Sequence, residues 1–138
     1  MKQKPYILID HTADIGVKAT GKTLEEAFSF AAQAMFDIIT DDSTIDGKQI
    51  INLDIKSSDL EQLLVDFLDE LLYLFSAENL VFCGFDFKID DTHLLGTAQA
   101  EAYDTSKHNI GVEIKAVTYH MLEVQTQPKP KVQVLFDI

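Results

Sequence analysis

The chain has 138 residues, 46% hydrophobic and 25% charged, a balance that fits one domain over residues 1–138 with a core of its own. Its formal net charge is -12, carried against 11 basic residues that are all lysine, which argues against strong direct nucleic-acid binding because phosphate contacts need a cationic surface. No apolar run reaches the ~20 residues of a membrane span, and the opening MKQKPYILID is too short in apolar residues for a signal-peptide core, so a cytoplasmic protein with no membrane contact is expected.

Two strand-like runs open the chain, Tyr6 to Ile9 and Ile15 to Val17. Between them, IDHTADIG crowds Asp10, His11, Thr12 and Asp14 together. Thr23-Leu-Glu-Glu26 reads as a capping box, and Leu24, Ala27, Phe28, Ala31, Ala34, Met35 and Ile38 follow at helical spacing, which predicts a helix from about Leu24 to Ile39. In the polar loop TDDSTIDGKQ, Asp41, Asp42 and Asp46 suit capping and turns better than calcium, because the EF-hand alternation of ligands is missing. Ile50 to Ile55 alternates like a strand. Ser58-Asp-Leu-Glu61 reads as a second capping box before a wide stripe from Leu60 to Phe75, predicting a helix over about Asp59 to Ser76.

The remainder reads as β. Val81, Cys83, Phe85, Phe87 and Ile89 share one strand parity, which buries Cys83 as an inert thiol. A lone cysteine excludes an internal disulfide and a Cys-based zinc cluster. Asp90-Asp91 turns the chain into Leu94, Gly96, Ala98, Ala100 and Ala102, a face of small residues that suggests a helix packed close. Residues 112 to 126 are long for one strand, so a bend or bulge is expected near Val117 to Tyr119. After Pro128 and Pro130, Val132, Val134, Phe136 and Ile138 mark a last strand with Asp137 on its other face. The order predicts an α+β domain: two helices packed on a mostly antiparallel or mixed β-sheet. No phosphate loop, nucleophile elbow or zincin motif is present.

Taken alone, Asp14 suits a turn cap and Asp137 a solvated carboxylate. His120 shares parity with Ile114, Ala116 and Leu122, a core position unless a bulge intervenes, and Lys115 lies on the other face. His11, Asp14 and His120 together would also suit a metal-assisted hydrolase acting on a small phosphoester.

Three stretches add a resemblance. DHTADIGVKATGKTLEEAFSFAAQAMFDIITD, FLDELLYLFSAENLVF and EIKAVTYHMLEV, with the terminal VLFDI, resemble the archease family over essentially the whole chain. The resemblance implies a small cytoplasmic accessory protein with no catalysis of its own. Its implied partner is an RtcB-type RNA ligase of tRNA splicing and RNA repair, which it helps through GTP-dependent guanylylation and repeated turnover. A chaperone-like tie to a tRNA methyltransferase is also implied. So is a metal site of Asp14, Asp137 and the terminal carboxylate of Ile138. Other positions matching family motifs are His11, Lys115 and His120, with His108 and Glu70. Oxygen-only ligation suits a hard divalent ion (Ca, Mg or Mn), and carboxylates this close repel unless a cation sits among them.

Overall fold

The computed structural model describes residues 4–11 and 13–138, with Asp10 and His11 described by their backbone alone. Strands β1 (Tyr6–His11) and β2 (Asp14–Thr20) form a hairpin, and α1 (Leu24–Thr40) follows. Thr23 caps α1 by accepting the Glu26 amide at 3.1 Å, and the Glu26 carboxylate accepts the Lys22 amide rather than that of Thr23. The helix ends in two left-handed residues, Asp41 and Asp42, so these acids serve as capping and turn residues, while Asp46 pairs with Lys107 at 3.3 Å.

Strand β3 (Gln49–Lys56) leads to α2 (Leu60–Glu78), then to β4 (Leu80–Asp90), β5 (His93–Ala102), β6 (Ala116–Gln125) and β7 (Lys131–Asp137). The α2 cap is Asp59, which accepts the Gln62 amide at 2.7 Å, one residue later than the Ser58–Glu61 reading. A Ser-Asp pair offers two caps, and Asp59, the one next to the first helical residue Leu60, is used.

Among the described residues all strand pairs are antiparallel, and they form two sheets: β1-β2-β7-β6 and β3-β5-β4. The expected α+β class holds, with one refinement: each helix packs against strands of both sheets. This explains why α1 is apolar around most of its circumference, with Ala27, Phe28, Ala31, Ala32, Ala34, Met35, Phe36, Ile38 and Ile39 all buried.

Phenylalanines join the layers. The Phe67 ring of α2 lies 6.1 Å from Phe28 of α1, and 5.8 and 5.3 Å from Phe85 and Phe87 of β4. The small residues of β5 accommodate these rings. Phe82 pairs with Ala100, Phe85 with Ala98 and Phe87 with Gly96, and a Cβ on Gly96 would meet the Asp86 carbonyl oxygen and the Cα and Cβ of Phe87. The space read as room for a helix is filled by cross-strand phenylalanines.

Cys83 corrects a second expectation. A register shift between Phe82 and Gly84 inverts the alternation and leaves Cys83 exposed. Partial desolvation of its sulfur, with the Glu101 and Asp46 carboxylates nearby, still holds the thiol above its usual range, so it is poorly nucleophilic.

Candidate functional site

The two ends of the domain meet at one end of the four-stranded sheet. Asp14 opens β2 and Asp137 closes β7, and the two are direct partners in the antiparallel register. Directly paired residues present their side chains on the same sheet face, so the two carboxylates stand together there. Both residues are partly buried. The row continues on either side: position 11 of β1 pairs with Asp14, and Ala116 of β6 pairs with Asp137.

Main-chain bonds clamp this end. The Lys115 amide donates to the Asp137 carbonyl at 2.7 Å, and the Ile138 amide donates to the Ala13 carbonyl at 3.3 Å. Ala13 itself has a left-handed φ of 60°, costly for residues other than Gly, Asn or Asp. The strained turn turns its carbonyl to the chain terminus. Nothing in the residue type announces this role, and only the strand register on both sides could have revealed it.

His120 lies where β6 leaves its register, between Thr118 and Glu123, with Met121 left-handed at φ 58°. The irregularity opens after Thr118, within the expected stretch of Val117 to Tyr119, and runs on to Glu123. It breaks the parity that placed His120 in the core, and the residue is exposed. The Lys115 side chain is also exposed, just before β6. The His11 side chain and Thr12 lie outside the described residues.

His108 and Glu70 belong to other surroundings. His108 is 2% exposed. Its Nδ1 accepts the Asp104 amide at 3.0 Å, its Nε2 lies 2.6 Å from a Glu101 carboxylate oxygen, and its ring stacks on Tyr103. An Nδ1 that accepts leaves the proton on Nε2, which donates to Glu101. Burial alone would raise the Glu101 carboxyl, but Lys107 and His108 hold it below the usual range. This cluster fixes the turn after β5, and a histidine at fixed distance from a glutamate carries no local pattern that would have revealed it.

Glu70 is exposed on α2, beside a surface cleft of about 490 Å³ lined also by Asp54, Lys56, Asp66, Asp69 and Tyr73. Desolvation and the neighbouring Asp66 raise the Asp69 carboxyl above its usual range. In the unfolded chain Asp69 loses its proton at lower pH, so its ionisation costs the folded state, and the cost appears as pH rises through the ordinary aspartate range near ~4. Asp69→Asn is therefore expected to raise Tm at pH 7 and to lose that advantage below about pH 4. Thermal melts at both pH values check this; an equal gain at both would trace the effect to something other than charge.

Among the described residues no helix is long and apolar enough to cross a membrane. Residues 6–138 match the family described as the Archease protein family (MTH1598/TM1083). The chain is 44% identical over 123 residues to "Protein archease" of Pyrococcus furiosus, covering 86% of this chain and 87% of that one. It is 44% identical over 143 residues to "Protein archease" of Methanosarcina barkeri, covering 98% and 97%. The solution structure of Methanobacterium thermoautotrophicum protein 1598 superposes with a TM-score of 0.79 at 36% identity, over 99% of this chain and 100% of that one. A Thermotoga maritima archease, described as a possible chaperone, shares the fold with a TM-score of 0.59 at 22% identity, over 100% and 98%. By family match, sequence identity and fold together, this chain belongs to the archease protein family.

Proposed function

We propose that the protein is a metal-binding accessory factor that activates an RtcB-type RNA ligase, promoting the ligase's GTP-dependent guanylylation and its repeated turnover. The observation that carries the reading is the direct pairing of Asp14 with Asp137, clamped by the bond from Ile138 to Ala13. Two carboxylates on one sheet face would offer anionic oxygen donors to a hard divalent ion such as Ca²⁺, Mg²⁺ or Mn²⁺. Among the described residues no three His, Cys, Asp or Glu side chains form a metal cluster. Ile138 oxygen, His11 or water would complete the set. When bound, the ion would supply charge neutralisation at a transferring phosphoryl group.

The protein's own residues do the rest. The β2–β7 pairing fixes the spacing of the carboxylates, and the Lys115 and Ile138 amides hold the strand ends that carry them. A net charge of -12 suits docking on a basic, phosphate-binding cleft and disfavours free RNA. Electrostatic attraction would bring this carboxylate end to the cleft without RNA contacts of its own.

A ligation assay with limiting ligase tests the reading. Added protein is expected to raise the number of joined ends per ligase molecule well above one. An unchanged turnover number, with the protein folded and in excess, would overturn it.

A further inference from the structure

We propose that the open edge of β1 docks an extended, lysine- or arginine-bearing segment of the ligase, which adds to β1 as a further strand and seats an apolar side chain in the groove beside it. The inference rests on the ligase reading above and goes beyond it by naming the docking surface.

Among the described residues of the four-stranded sheet, β1 pairs with β2 alone, so its other edge presents main-chain donors and acceptors to a partner. Ile7 is 66% exposed and Leu8 50% exposed, on opposite faces of the strand. On the Leu8 side lies a groove of about 400 Å³ lined by Tyr6, Ile15, Ile38, Gly111 and Val112.

The cause of the groove is local. The last turn of α1 leaves carbonyls without helical partners, and the Gly111 and Val112 amides donate to those of Ile39 and Ile38, each at 2.9 Å. This brings residues 110–112 beside β1. Only glycine fits at 111, because a Cβ there would meet the Ile38 carbonyl oxygen. The pinned segment exposes Ile110 by 75% and Val112 by 42%, extending the apolar surface of the strand edge.

Three features of this surface select the occupant. A helix laid in the groove would cover Leu8 and leave Ile7 bare, whereas an added strand alternates its side chains and covers both. Among the described residues the rim carries Asp37, Asp41 and Asp42 against one cation, Lys4, which lies 3.4 Å from Asp37 and 2.7 Å from Asp42. That rim favours a basic segment, and a second copy would bring two chains of net charge -12 edge to edge. The strand also ends at the register partner of Asp14, so a segment bound along it runs to the carboxylate pair.

The double variant Leu8→Lys/Val112→Lys tests this, since both side chains are already half-exposed and lysine is well tolerated on an edge strand. Its affinity for the ligase is expected to fall about tenfold or more, while its thermal midpoint with and without Mn²⁺ stays that of the wild type. In the wild type, hydrogen exchange at residues 6–11 is expected to slow when ligase is added. Unchanged affinity of the variant, with no slowing at β1, would overturn the docking surface and leave the ligase reading standing. No binding by the wild type would overturn both. Slowing at β1 in the protein alone, with dimers in sedimentation, would overturn the proposal in favour of a second copy.

Discussion

Asp137→Asn is expected to weaken divalent-ion binding by about 100-fold or more and to abolish ligase activation, with the fold intact. The substitution keeps the shape of the side chain. The β2–β7 register and the bond from Lys115 to the Asp137 carbonyl are main-chain contacts that asparagine preserves. Only one anionic oxygen group is lost, from a set whose purpose in the proposed function is to face a cation.

The stability signs separate this reading from a structural one. Without an ion, two carboxylates in direct register repel, so the apo variant should melt no lower than the apo wild type. With an ion at about 100 times its Kd, the wild type should gain about 2.7 kcal/mol, and the variant almost none. For a chain of this length that gain is roughly 10 °C in Tm. Melts of both proteins with EDTA and with Mn²⁺ or Ca²⁺ measure all four quantities. A variant that melts well below wild type in EDTA would mark Asp137 as a structural residue, and a wild type indifferent to the ion would remove the metal site. Ligase binding then distinguishes two routes to activation. If the ion is handed to the ligase centre, Asp137→Asn still binds the ligase. If the ion stiffens the docking surface, binding weakens together with activation.

The residues that announce themselves do so through period and capping. The wide stripe from Leu60 to Phe75 and the Thr23–Glu26 box placed both helices to within a residue or two, because each rests on contacts three or four residues apart. The hairpin at Asp90-Asp91 was equally local, with Asp91 left-handed at φ 57°. What failed needed a partner from elsewhere in the chain. Strand alternation says which residues face inward but not how many sheets they face, so the second sheet was invisible. The irregularities at Phe82/Gly84 and Thr118/Glu123 each shift parity, and each misplaced a side chain, Cys83 in one strand and His120 in the other. A bulge is an accommodation between two strands, and neither strand alone encodes it. The carboxylate pair was legible only by resemblance. Asp14 and Asp137 lie 123 positions apart (137 − 14), and only the β2–β7 register makes them neighbours. The groove beside β1 was not foreseen, since it depends on Gly111 reaching the end of α1.

Phe67→Ala is expected to cost about 3–5 kcal/mol, the range for emptying a fully buried aromatic site. Phe67 is 0% exposed, and its ring meets Phe28, Phe85 and Phe87 at 5.3 to 6.1 Å. Those three neighbours belong to α1 and β4, so the ring joins both helices to the three-stranded sheet. Edge-on and stacked pairs add to the buried area, so the loss should reach the upper half of that range. At about 10 kcal/mol, the middle of the range for single domains, the variant stays folded near 25 °C with Tm lowered by roughly 10–20 °C. Phe67→Leu should lose far less, because it refills most of the volume. Denaturant titrations of the three proteins check the order, with an unchanged m-value confirming that the folded state is the one affected. A loss under about 1 kcal/mol for alanine would show that Phe85 and Phe87 collapse into the space, and that the three-stranded sheet yields where its packing reads as fixed. Because no described contact of Phe67 involves Asp14 or Asp137, the folded fraction of Phe67→Ala should activate the ligase as wild type does. The same fraction of Asp137→Asn should not, which separates loss of fold from loss of the carboxylate pair in one assay.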